Sequence, residues 1–220
     1  MSEPLPLVRQ NFPELDENQR HVLAEYARLL GWWNERINLV SRRDMPNFER
    51  KHLLPSLAVL RAVDFPADSA IMDAGSGGGL PGLPLAILRP DCRFTLVDSV
   101  AKKTRVLEDL VDRLELANVE VRRARIESME ERFDFVTGRA LKSLATLCDW
   151  LRGRIGAGAH GEERRGLFYL KGGDPSLELD EAGIEDYELF PLSLWIEEPE
   201  LETKVLIFIP ADEINRRRKR

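Results

Sequence analysis

Two cysteines, Cys92 and Cys148, and three histidines are the whole supply of thiol and imidazole metal ligands in 220 residues. That scarcity leaves little material for a disulfide framework or a structural zinc site. It points to a reduced, cytoplasmic protein with no metal. Long apolar runs are missing too, so no membrane partner is expected. The opening MSEPLPLVRQ is too short and polar for a secretory signal. Net positive charge is lacking: 32 Lys and Arg stand against 38 Asp and Glu, a formal charge of -6. This argues only weakly against a nucleic-acid partner, because distribution matters more than the sum. Basic residues gather at Arg42–Arg43, Lys102–Lys103, 122–125 and 216–220, and acidic ones at 197–202. For each cluster a solvated surface is the plain alternative.

Size and pattern are present. The chain suffices for one domain with a sizeable core. Leu23, Tyr26, Ala27, Leu30, Trp33 and Ile37 form one apolar face of a helix over 16–38, with Asp16 at its N-cap. A second helix over 46–62 is expected to kink or break at Pro55. From residue 69 strands and helices alternate. Strands are predicted at 69–74, 93–98, 119–124, 133–138 and 166–172, and helices at 80–89, 100–116, 141–155 and 176–183. Segments 185–195 and 203–209 are predicted to close the sheet as a hairpin, and 156–166 to be a flexible loop. This is an α/β, mostly parallel sheet with helices on both faces. The predicted division is a helical N-terminal extension over 1–65, a main domain over 66–212 and a basic tail over 213–220. No internal repeat is visible.

The densest signal is IMDAGSGGGLPGLPLA, residues 71–86. Within it, 77–82 match G-x-G-x-x-G between a strand and a helix, the context that motif requires. Glycines at 75, 77 and 79 let backbone turn sharply and approach a ligand. A bare turn with no ligand is the alternative, yet so many glycines would raise unfolded-state entropy without return. Asp73, two residues before the first glycine, would repel a pyrophosphate and attract a cation. Asp98 ends the next strand, where an acid accepts hydrogen bonds from a ribose. Together these favour S-adenosylmethionine over a nicotinamide dinucleotide. Taken singly, Asp98 also fits a helix N-cap.

DAGSGGGLPGLPLA, TLVDSVAKK, RIE at 125–127, TGRAL at 137–141 and LKGG at 170–173 carry a family resemblance. WNERINLVS at 33–41 and KHLLPSL at 51–57 extend it toward the N-terminus. The sequence resembles the glucose-inhibited division protein B family, bacterial 16S ribosomal RNA guanine-N7 methyltransferases. The resemblance implies a class I, Rossmann-like S-adenosylmethionine-dependent methyltransferase. Its implied substrate is one guanine near the decoding site, in 16S rRNA, a 30S subunit or an assembly intermediate, and a monomer is expected. By position it implies that Asp73, Gly75, Ser76, Gly77, Gly79 and Leu80 surround the cofactor. Asp98 would hold the ribose, and Ile126 and Glu127 would lie beside the adenine. Arg139 would face both the methionine end and the target, as the catalytic candidate. In one departure, the family has an acid where this chain has Pro55, in His52-Leu-Leu-Pro55-Ser56.

The residues agree with that chemistry. Neither cysteine sits beside a proline, the setting of pyrimidine C5 methylation. TGRA stands where exocyclic-amine enzymes carry an Asp/Asn-Pro-Pro-aromatic motif. Guanine N7 offers a free lone pair and needs no general base. Arg139 faces substrate or pairs with Asp73 or Asp98. Lys102, Lys103, Arg123 and Lys171 are candidate RNA contacts, with Lys171 alternatively holding a carboxylate of the N-terminal helices. Trp32 and Trp33 stack bases or pack the N-terminal helix onto the sheet, and His52 packs or catalyses. A small-molecule or protein methyltransferase and a non-catalytic RNA-binding module are the rival classes.

Overall fold

The computed structural model describes residues 4–216. The N-terminal part holds α1 (Pro6–Asn11) and α2 (Glu17–Asn34). Asp16 caps α2 by accepting from the Gln19 amide, and the Gln19 side-chain oxygen in turn accepts from the Asp16 amide. The expected helix over 46–62 is broken. A 3₁₀ turn (Met45–Asn47) leads into a π-helical turn (Glu49–Leu53), then α3 (Leu54–Leu57) and α4 (Val59–Ala62). The break begins before Pro55, because the Leu54 amide reaches the Glu49 carbonyl, one residue beyond α-helical spacing.

The sheet begins with β1 (Ala70–Ala74), followed by α5 (Gly82–Leu88), β2 (Arg93–Asp98), α6 (Ala101–Arg113), β3 (Val119–Arg123) and β4 (Phe135–Arg139). After β4 comes α7 (Leu144–Leu151), shorter than the predicted 141–155: the Ser143 hydroxyl caps its start by accepting from the Thr146 amide, and Arg152, at φ -55° and ψ 126°, leaves helical geometry at its end. The predicted flexible loop holds a small hairpin, β5 (Ala159–His160) with β6 (Glu163–Arg164). Arg165 pins its base by bonding Asp134 and the carbonyls of Ala157 and Ala159. Then come β7 (Gly166–Gly172), α8 (Ser176–Ala182), β8 (Glu188–Pro191), β9 (Lys204–Pro210) and α9 (Ala211–Arg216). Residues 213–216, grouped with the basic tail from sequence, close α9 with Glu213 and Ile214 buried; 217–220 lie outside the described residues.

The strand order is β3-β2-β1-β4-β7-β9-β8. The first five strands run parallel, while β9 inserts antiparallel between β7 and β8, the predicted closing hairpin. Strand side chains alternate between two cores. Ile71, Leu96, Phe135 and Phe168 join the N-terminal helices, α5 and α6, whereas Met72, Val97, Val136 and Ile207 join α7, α8 and α9. The N-terminal helices therefore share one continuous core with the sheet. Strand order reverses between β1 and β4, so a crevice opens at their carboxyl ends, where open α/β sheets bind ligands.

Candidate active site

The glycine loop leaves β1 at that crevice. Gly75 has φ +65° and Gly77 φ +57°, backbone that side chains with a Cβ rarely adopt. Gly82 is required for another reason: a Cβ there would lie 2.5 Å from Leu96 and 2.7 Å from the Asp73 Cβ. The third glycine of the motif thus lets α5 press directly onto β1. From the opposite side the Tyr26 hydroxyl donates to the Gly78 carbonyl at 2.9 Å. The N-terminal extension is a buttress of the loop.

Asp73 lies under the loop, fully buried, and lines neither of the cavities that flank the segment after β4. Its Oδ1 accepts from the Thr137 hydroxyl at 3.1 Å, and its Oδ2 has no partner. Burial pushes the carboxyl up to about 6, and the bond from the Thr137 hydroxyl, with the nearby dipoles of the Ser76 hydroxyl and the Gly82 amide, pulls it back only in part. Asp98 holds the loop's other side: its Oδ2 accepts from the Gly77 amide at 3.1 Å and its Oδ1 from the Val100 amide at 2.9 Å. It does not cap α6, whose N-cap is Val100.

Of the two cavities beside that segment, one, of about 600 Å³, is lined by Gly75, Asp98, Val100, Ile126, Glu127 and Trp150 among others. The second, of about 620 Å³, is lined by Lys51, His52, Arg139, Lys142, Lys171 and Lys204 among others. Ala140, Leu141 and Lys142 belong to both walls. Ala140 has φ +50°, a strained conformation for alanine, and the Leu141 amide is held by the Tyr169 hydroxyl at 2.9 Å. Leu141 overlies Gly75, where a Cβ would come within 2.2 Å of its Cδ2.

The predicted residues are therefore divided. Gly75, Asp98, Ile126 and Glu127 share the first cavity, and Lys103 joins them. Ser76 and Leu80 are buried in the loop, with the Ser76 hydroxyl donating to the Asp73 carbonyl. Gly77 and Gly79 shape the backbone. Arg139 and Lys171 line the second cavity, while Lys102 and Arg123 are exposed outside both. Lys171 holds the carboxylate of Glu178 from α8, not one from the N-terminal helices. Arg139 pairs with neither Asp73 nor Asp98; its Nη1 lies 2.9 Å from His52 Nδ1. Among the described residues no carboxylate comes within ion-pairing distance of it. Trp33 packs against the core that the N-terminal helices share with the sheet and donates to Asp109 of α6 at 2.7 Å, and Trp32 is half-exposed under the Arg36 guanidinium.

Lys51, Lys142 and Lys204 were not singled out from sequence. Lys204 faces the site because β9 pairs antiparallel with β7, opposite Gly172, a placement no local motif encodes. Pro55 explains how it is held. Proline has no amide hydrogen, so the Lys51 carbonyl lacks its helical donor, and the Lys204 ammonium donates to it at 2.7 Å. Burial, then Arg139, holds Lys204 below the usual lysine range.

A family described as "GidB: rRNA small subunit methyltransferase G" matches residues 19–183. The chain belongs to this family. It is 37% identical over 209 residues to the ribosomal RNA small subunit methyltransferase G of Christiangramia forsetii, covering 94% of this chain and 97% of that one. The same-named protein of Bacteroides fragilis is 43% identical over 170 residues, covering 77% and 82%. In fold the chain is similar to a SAM-dependent methyltransferase of Aquifex aeolicus, with TM-score 0.55, 16% identity and coverage of 77% and 94%. The chain has the class I methyltransferase fold and is a methyltransferase by family. No described helix is long and apolar enough to cross a membrane, and no described cluster of side chains is suited to a metal ion.

Proposed function

We propose that the chain transfers the methyl group of S-adenosylmethionine to N7 of one guanine in 16S rRNA, near the decoding site. S-Adenosylmethionine is the cofactor, and it supplies an electrophilic methyl on a sulfonium. The first cavity fits its nucleoside end. Asp98 offers spare acceptor capacity toward ribose hydroxyls, Ile126 an apolar surface beside Glu127 for the adenine, and the bare backbone at Gly75 the path for the amino-acid part. Asp73 acts from beneath, its buried negative charge favouring a cation over a phosphate at the loop.

The second cavity takes the target nucleotide. Arg139, Lys51, Lys142 and Lys204 make it attractive to a phosphate-bearing ligand. Among its described lining residues Glu178 is the only carboxylate, committed to Lys171, and His52 the only imidazole, committed to Arg139. A cation-lined cavity without a free acid or imidazole, adjoining the cofactor cavity across Ala140–Lys142, is the observation that carries this reading. Guanine N7 needs no proton removed before it attacks, so alignment is the chain's main contribution. Alignment of two reactants is worth up to about 7–11 kcal/mol in favourable systems. Because N7 must keep its lone pair, Arg139 donates to O6 or to a phosphate, not to N7.

Labelled cofactor, purified protein and RNA from a strain lacking this gene provide the test. Label in 7-methylguanine supports the proposal, and label on any other position rejects it. Running naked 16S rRNA, 30S subunits and assembly intermediates in parallel identifies the substrate form. Arg139→Ala is expected to lower turnover about 10²-fold while leaving cofactor affinity within a few-fold. Near-normal turnover would show that Arg139 does not align the target guanine.

A further inference from the structure

His52 sits on the π-helical turn, where its ring turns inward with 14% of the side chain exposed. Such turns recur at functional sites because they re-aim one side chain against its neighbours. Its Nδ1 lies 2.9 Å from Arg139 Nη1. A guanidinium only donates, so Nδ1 accepts and the ring proton resides on Nε2. Nε2 has no hydrogen-bond partner, and the nearest acid, Asp44, is 3.6 Å away and already bonded to Lys51 at 2.8 Å.

We propose that His52 is a positioning residue for Arg139, a neutral acceptor that aims the guanidinium into the cation-lined cavity without cancelling its charge. A carboxylate in its place would hold the arginine more tightly but consume the attraction meant for an anionic ligand. The groups facing the ring are Arg139 from β4, Lys204 from β9, and Asp44 and Lys51 from the segment before α3, with the Phe48 ring 5.9 Å away. The three cations outnumber the one acid, and burial acts in the same direction. Together they hold the imidazole neutral, pushed down to about 3.

Only the kinetic half of the test rests on the methyl-transfer reading. Nitrogen NMR of the His52 ring is expected to show a neutral, Nε2-protonated tautomer from pH 5 to 8. In Arg139→Ala the ring loses that fixed tautomer and titrates at higher pH. Titration of the wild-type ring near 6.5, or no response to Arg139→Ala, overturns the proposal whatever the substrate is. In kinetics, His52→Phe is expected to lower kcat ~10–100-fold with cofactor affinity unchanged. His52→Asn, which keeps an acceptor near the Nδ1 position, recovers most of that loss and serves alone if the Phe variant does not fold. On an Arg139→Ala background His52→Phe adds little, because the two act as one unit. Equal losses on both backgrounds, or an Asn variant as poor as the Phe variant, overturn it. So does an acidic limb of kcat/KM that disappears in His52→Asn, which would make the ring an acid–base group.

Discussion

With no donor to Oδ2 and no contact with water, the Asp73 carboxylate carries a free-energy cost that appears when it ionises. Its pKa rises from 3.8 in the unfolded chain to about 6 in the fold. Between those values the native state binds more protons than the unfolded one, so this group's contribution to stability falls as pH rises. At about 1.4 kcal/mol per unit, the loss is about 3 kcal/mol across pH 4 to 6. Asp73→Asn removes the titration. Urea unfolding of the cofactor-free protein should show the stability difference moving about 3 kcal/mol in the variant's favour between pH 4 and 7. A pH-independent difference would mean the carboxylate is solvated. Gly77 is constrained by conformation rather than space: its φ is +57° and only the Gly75 carbonyl, at 3.8 Å, would meet a Cβ. Gly77→Val should therefore abolish cofactor binding by calorimetry while the protein stays folded.

At the scale of elements, the loop is held by three neighbours: α2 through Tyr26, β2 through Asp98, and α5 through the absence of a side chain at Gly82. Tyr26→Phe removes one buried hydrogen bond and leaves the Gly78 carbonyl unpaired, a loss of about 1–2 kcal/mol. Part of that loss should surface as weaker cofactor binding, severalfold by calorimetry, with kcat little changed. A change in kcat alone would place Tyr26 with the substrate instead. Gly82→Ala forces α5 off β1 and is expected to cost about 1–3 kcal/mol in thermal or urea unfolding. The broken helix over 46–62 has the same logic. Pro55 gives up a helical bond, and the freed Lys51 carbonyl fixes a lysine from the far end of the chain.

For the whole molecule, charge is segregated rather than balanced. The net charge of -6 coexists with a cavity lined by Lys51, Lys142, Lys171, Lys204 and Arg139. A single strand of RNA held through its phosphates releases about 0.7 counterions per contact. Lys142→Ala combined with Lys204→Ala should flatten the slope of log affinity against log salt by about 1.4 and weaken binding at low salt. An unchanged slope would put the RNA on another face.

Local pattern sufficed wherever a few adjacent residues decide the outcome. Short apolar runs set between helical periods marked the strands, Asp16 marked the start of α2, and glycine spacing marked the loop between β1 and α5. The loop even implied its ligand class, since Asp73 and Asp98 follow from sequence distance to the glycines. Where the hairpin at 159–164 or the π-helical turn would lie was not evident, because long-range bonds from Arg165 and the packing around His52 stabilise them. Sequence also left Arg139 either facing substrate or paired with Asp73 or Asp98, and gave Lys204 no role. Only the tertiary structure decided that Arg139 is held by a neutral imidazole 87 residues away, and that Lys204 arrives on an antiparallel strand. The physical reason is that hydrophobic period and turn chemistry act over a few residues, whereas the electrostatics of a cavity are set by whichever distant side chains the sheet order brings together.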